Sequence, residues 1–198
     1  MNDSPGPKVC QSWVPGNRAS NSPETTVITS DVNISRDYTL YPYGPIYELP
    51  ENDRFLYPNM PSLDRRRLAK ERVVGLPPTP NGEPGIAFPF TALDGQPSSW
   101  AAVETTWNGE DIVILWSDQF QGAGAFFARH PVTGDPLRFR ATAGGIEDTS
   151  TGTSWSITGR GQEGVLAGEV LTPVAEMYVA FWGAWAAFHP TTRLWEGA

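Results

Sequence analysis

Apolar and polar residues alternate most regularly between residues 103 and 117, in two runs separated by Asn108-Gly109. Asn-Gly accepts the positive φ of a type I′ turn, so the two runs predict a two-residue β-hairpin. The turn sets the register: Trp107 opposite Glu110, Thr105 opposite Ile112, Val103 opposite Ile114. One face then carries Val103, Thr105, Trp107, Ile112, Ile114 and Trp116. The other carries Glu104, Thr106 and Asp111, then Val113 and Leu115. Residues 112–116 are apolar on both faces, as in a central or barrel strand.

Weaker patterns flank the hairpin. Residues 72–76 and 85–90 predict strands around a Pro-rich loop that cannot pair in a ladder. Residues 122–129 and 136–141 predict a second hairpin pair, with Leu137 and Phe139 on one side and Arg138 and Arg140 on the other. Residues 148–152 predict a turn and 153–158 a strand bearing Trp155. Residues 159–168 predict a bend, followed by a short strand over 168–171. Two helices are predicted. The first spans 62–71 with Ser62 as its N-cap. The second starts at Thr172-Pro173, carries Met177, Phe181, Trp185 and Phe188 on one stripe, and ends before Pro190. Upstream, residues 1–24 predict a flexible arm and 25–61 an extended wrapping segment, with a short strand at 25–29. Residues 62–198 predict a single β-rich domain. The fold class is mainly β: a small antiparallel barrel or sandwich with one helix near the C-terminus.

Composition fits this picture. The 20 Gly and 19 Pro favour turns and short strands, and the eight Trp supply a large buried area. The net charge of -8 disfavours nucleic acid as a partner. The basic run Arg65-Arg66-Arg67, followed by Lys70 and Arg72, is flanked by Asp64 and Glu71 and reads as a solvated face. One cysteine, Cys10, permits neither an intrachain disulfide nor a cysteine metal cluster. No apolar run approaches the roughly 20 residues of a transmembrane helix. The first 30 residues lack a signal pattern. The expectation is a cytoplasmic location, or export if the chain lacks its natural beginning.

Candidate chemistry is sparse. His130 and His189 each precede Pro and read as turn elements, so neither a metal nor a cofactor is expected. No nucleophile elbow, phosphate loop or zinc-protease motif occurs, so no catalytic residue is assigned. Gly-Arg-Gly-Gln-Glu-Gly at 159–164 lacks the Lys and helix of a phosphate cradle and reads as a bend. Asp148, Glu163 and Glu169 are the carboxylates available for acid–base work. Trp116, Arg129, Arg140, Trp155, Arg160 and Glu163 would form an anion-binding or stacking pocket if they converge. The plainer alternative gives Arg160 to strand-end carbonyls and Trp155 to the core.

Residues 147–195 resemble the closing half of a prokaryotic family called "domain of unknown function 3179". Asp148, Thr151, Gly152, Thr153 and Trp155 follow its Asp-x-x-Thr-Gly-Ser-x-Trp turn. Gly159-Arg160 and Gly164-Val165-Leu166-Ala167-Gly168 follow its glycine segment, with Val165 where Pro is usual. Phe181-Trp182, Ala184-Trp185, Pro190 and Thr192 follow its closing motif. Upstream, Glu71-Arg72-Val73-Val74-Gly75 and Ala87-Phe88-Pro89 resemble its opening. Many members carry a Cys-Pro-x-Cys-Gly segment where this chain has Trp116-Ser117-Asp118-Gln119, so a role attached to those cysteines is not available here. Residues 11–30 also resemble the end of such a module, which points to the later half of a two-module architecture. The first functional expectation is a binding or structural module of that uncharacterised family, with a small-molecule or protein partner. The alternative is a hydrolase-like enzyme with an Arg/carboxylate pocket around Arg160.

Overall fold

A computed structural model of the chain describes residues 10–11, 42–44, 46–56, 60–96 and 98–197. At the 103–117 hairpin, Asn108 and Gly109 hold φ of 52° and 75°. β4 (Trp100–Trp107) and β5 (Glu110–Ser117) pair in the predicted register. β6 (Gly122–Phe127) lies on the other side of β5, and β1 (Cys10–Gln11) adds to its free edge. These four strands, in the order β1-β6-β5-β4, form a central sheet.

A second sheet packs on each face of it. β2 (Arg72–Leu76) and β3 (Ile86–Pro89) pair antiparallel, flanked by β11 (Tyr178–Phe181) and β12 (Arg193–Leu194). β12 runs parallel to β3, a departure from all-antiparallel pairing. Val74, Leu76, Ile86 and Phe88 meet Ile112, Ile114 and Trp116 in one core cluster. On the opposite face, Val113, Leu115 and Phe126 meet Phe139, Ile146 and Trp155 in a second cluster. Those last residues belong to a sheet of β7 (Phe139–Thr142), β8 (Gly145–Asp148), β9 (Ser154–Trp155) and β10 (Gly161–Glu163). Core on both sides is the physical reason that β5 is apolar on both faces. The fold is sandwich-like; among the described residues no barrel closes. α1 (Phe90–Asp94) inserts Phe90 and Leu93 into the first cluster. α2 (Trp182–Phe188) lies on the outer face of β2 and β3, where Trp182, Trp185 and Ala186 cover Val73 and Ala87.

Several expectations are corrected. Residues 62–71 form no helix but a chain of bends and turns. The Asp64 carboxylate accepts the Arg66 N–H at 2.9 Å, and Lys70 N–H donates to the Pro50 carbonyl at 3.1 Å. These bonds satisfy the backbone outside a helical ladder. The C-terminal helix begins at Trp182, not near 173. Residues 178–181 are a strand because the open edge of β2 offers them a ladder from Gly75 to Arg72. Thr172 and Val174 bond to β6 instead of capping a helix. Two loop carbonyls fix the helix start: Trp182 N–H donates to Glu71 O and Gly183 N–H to Ala69 O, each at 2.8 Å. Phe188, expected on the buried stripe, is 79% exposed. The second hairpin pair also splits. Arg129 bridges Pro136, then the chain leaves for the other sheet and β7 pairs with β8. Strand pairing after Trp155 falls at 161–163, inside the expected bend, with a single bridge from Arg160 to Val170. The predicted strand at 25–29 and most of the two-module echo lie outside the described residues.

Lys70 fastens residues 46–56 to this stack. Its side chain is buried, with Nζ donating to the Tyr47 carbonyl at 2.5 Å and standing 3.2 Å from the Tyr47 ring centroid. Burial pulls its pKa below the ordinary lysine value, against the attraction of Glu48. A Lys70→Met change keeps the volume and removes both interactions. Limited proteolysis within residues 46–56 is expected to run about tenfold faster in this variant. An unchanged cleavage rate would mean that Lys70 does not hold the segment.

Candidate functional site

The Asp-x-x-Thr-Gly-Thr-x-Trp stretch is a closed hydrogen-bond knot. Asp148 ends β8 and is 1% exposed. Its Oδ1 accepts the backbone N–H groups of Ser150 (3.0 Å) and Thr151 (2.6 Å). Its Oδ2 accepts Thr151 Oγ1–H (2.7 Å) and Trp155 Nε1–H (3.0 Å). Burial alone would raise the Asp148 pKa, but these donors outweigh it and hold the carboxyl below its ordinary value. Thr153 Oγ1 extends the knot by accepting Leu166 N–H at 3.1 Å. Every acceptor site facing the motif is occupied from within, which suits a rivet between β8, β9 and the glycine segment.

The six residues singled out from the sequence are dispersed. Trp116 belongs to the core between the central sheet and the helix-backed sheet, with its ring edge-on to Phe90 at 4.6 Å. Trp155 belongs to the core on the opposite face. Arg129 pairs with Glu110 at 2.7 Å and lies 4.8 Å from the Phe127 ring. Arg140 pairs with Glu147 at 2.9 Å. Arg160 and Glu163 are exposed, and their backbone N–H groups go to Ser156 Oγ and Ser154 Oγ. Glu169 is exposed as well.

Both histidines sit in local contacts. His130 Nδ1 accepts the N–H groups of Val132 and Thr133. His189 packs on Trp185 with ring centroids 4.2 Å apart, and its Nε2 lies 2.7 Å from the Tyr178 hydroxyl. Burial pushes the His189 imidazole below its ordinary value of 6.5. Protonation is then more costly in the folded than in the unfolded chain. The contribution of His189 to stability is full above pH 6.5 and shrinks as the pH falls through the lower folded pKa. The melting temperature of the wild type should therefore decline more steeply below that pH than that of His189→Phe. Parallel pH profiles would refute this. Among the described residues, no three His, Cys, Asp or Glu side chains are grouped to hold a metal. No helix among them is long and apolar enough to cross a membrane.

The structure instead opens a cavity of about 580 Å³ beside the basic run. Its lining takes in Pro50, Glu51 and Asp53 and the loop through Arg65, Arg66 and Arg67, with Glu71 and Thr91. Glu71 is 6% exposed and accepts Arg67 Nε at 2.7 Å and Nη2 at 2.6 Å. Thr91 Oγ1 bonds both partners. The hydrogen bonds that Arg67 donates to Glu71 raise the Arg67 pKa against the opposing effect of burial. Arg66 pairs with Asp64 at 2.8 Å and lies 5.0 Å from the Trp182 ring. The basic run is thus not wholly a solvated face. Arg65 is, with its side chain 81% exposed, but Arg67 is 27% exposed and bonded to a buried carboxylate. Sequence patterning missed this cavity because its lining comes from irregular segments that lack periodicity. The available signal was the four-residue spacing of Arg67 and Glu71, which a non-helical loop nevertheless brings together.

At the far end of β5, Trp116 Nε1 and Ser117 Oγ are buried without a hydrogen-bond partner among the described residues. Burial, and then the like charge of Asp118, push the Asp94 pKa up, opposed by Gln121, Trp116 and Arg72. Arg72 donates to Gln121 Oε1 at 3.3 Å and stacks over Phe90 at 4.7 Å.

No curated protein and no solved structure matches the chain. A family model does match, over residues 8–192. Its span takes in the Asp148 knot, the cavity loop and the Trp182–Trp185 helix. The chain belongs to the family described as "Protein of unknown function (DUF3179)".

Proposed function

We propose that this chain is a binding module, not a catalyst, and that it holds a small polar molecule in the cavity beside Arg65–Arg67. The observation that carries this reading is a cavity of about 580 Å³ in which half-buried Arg67 and buried Glu71 are already paired with each other. That volume lies within the range of about 300–1,000 Å³ common for ligand sites. In the cavity, Glu71 is bonded to Arg67 and Thr91 through both of its oxygens. Fixed, mutually satisfied polar groups suit recognition because little ordering cost remains when a ligand arrives. The hydrolase-like reading around Arg160 has less support. Arg160 and Glu163 are exposed, and the Asp148 carboxyl is occupied by four donors.

Native mass spectrometry of the purified protein, followed by a thermal-shift screen of small polar metabolites, tests the proposal. The expected result is a retained or stabilising ligand whose effect disappears when Leu68 and Ala69 are enlarged to fill the cavity. Turnover of any screened compound, or stabilisation that survives filling, would overturn it.

A further inference from the structure

Resting on the binding reading above, we infer that the cavity is built for a small zwitterion of the α-amino-acid or short-peptide type. The inference follows from which charges remain after internal pairs cancel. Arg66 is spent: Nε and Nη2 lie on the Asp64 carboxylate at 2.9 and 2.8 Å, and Nη1 donates to the Thr192 carbonyl at 3.1 Å. Arg67 is forked on Glu71 through Nε and Nη2. Arg65 remains on the 65–67 loop, and Glu51 and Asp53 on the 50–53 segment.

These leftover charges are weakly engaged. Arg65 reaches Asp53 only at 3.9 Å, with side chains 81% and 57% exposed. Such a contact is screened by water and is readily exchanged for a ligand's own charges. Arg67 adds a fixed donor: Nη1 takes no part in its bonds to Glu71 and Thr91, and the fork on a buried carboxylate holds the guanidinium in place.

The cavity lining therefore takes donors from the 65–67 loop and two carboxylates from the 50–53 segment. A simple anion would meet Glu51 and Asp53. A simple cation would meet Arg65 and Arg67. A zwitterion places its carboxylate toward the guanidinium groups and its ammonium toward Glu51 and Asp53. Leu63, Leu68 and Pro50 supply apolar lining for an aliphatic side chain. Free amino acids and short peptides share this chemistry, and the volume accommodates either.

Isothermal titration of the full chain with free leucine, leucyl-leucine, N-acetyl-leucine and leucinamide tests the inference. Binding of leucine or the dipeptide is expected, and the stronger of the two identifies the source. N-acetyl-leucine and leucinamide should each bind at least about tenfold more weakly, since each lacks one charge. Arg65→Gln is expected to weaken leucine or dipeptide binding by a similar factor without changing the melting temperature of the free protein. If the capped compounds bind as well as leucine, the zwitterion inference fails and the cavity reading stands. The same holds if none of the four binds while native mass spectrometry recovers another molecule. If nothing binds by either method, both fail.

Discussion

Asp148→Ala is expected to destabilise the protein by about 4 kcal/mol, lowering its melting temperature by about 10 °C. The loss exceeds that of an ordinary hydrogen bond because four donors lose one acceptor together. Trp155 Nε1 and the Thr151 hydroxyl share Oδ2, and Trp155 is 1% exposed, so water cannot take the place of the carboxylate without opening the core. Asp148→Asn separates charge from shape. It keeps one acceptor oxygen and turns the other into a donor that faces two donors. The pH dependence gives a second check. The folded Asp148 pKa lies below the ordinary aspartate value, so its contribution is full above that value and is lost as the pH falls through the folded pKa. The stability gap between wild type and Asp148→Asn should therefore be widest near neutral pH and narrow below pH 4. A constant gap, measured by urea denaturation across that range, would show that the carboxylate charge is not what the knot uses.

Gly75→Ala should be comparably damaging, by about 3 kcal/mol, although it adds a single methyl group. A Cβ at position 75 would lie 2.1 Å from Cζ3 of Trp185, well inside contact distance. The indole cannot move aside easily. Its Nε1 donates to Thr192 Oγ1 at 3.0 Å, and its faces meet His189 and Tyr178. The backbone cannot yield either, because Gly75 sits in β2 with β3 and β11 paired on its two sides. Trp185→Leu in the Gly75→Ala background should recover part of the loss, giving a coupling energy of at least about 1 kcal/mol in a double-mutant cycle. Additive effects of the two changes would place the damage elsewhere.

Residue chemistry that acts over a few positions was legible in the sequence. Asn108-Gly109 specified the hairpin, and the hairpin specified its register. Leu137 and Phe139 fell on the buried side and Arg138 and Arg140 on the exposed side, as alternation requires. Pro190 ended the helix where its missing N–H must. The Asp148 turn was visible as a motif, but its meaning was not. The same residue types serve a catalytic carboxylate or a buried rivet, and only the positions of four donors distinguish them.

Local chemistry thus determined the mainly β composition, the central hairpin and the strand apolar on both faces. Tertiary structure decided what competed for each backbone group. Residues 178–181 satisfy a helical stripe, yet they became a strand because β2 offered them a ladder and Gly75 left room for Trp185 above it. Residues 62–71 have helix-forming content, yet they became a loop because Asp64, Pro50 and Trp182 took their polar groups. That loop is also where Arg67 meets Glu71 and the cavity opens. Short-range pattern governs which side chains share a face. Which faces meet, and which charges they trap between them, depends on contacts between segments far apart in the chain.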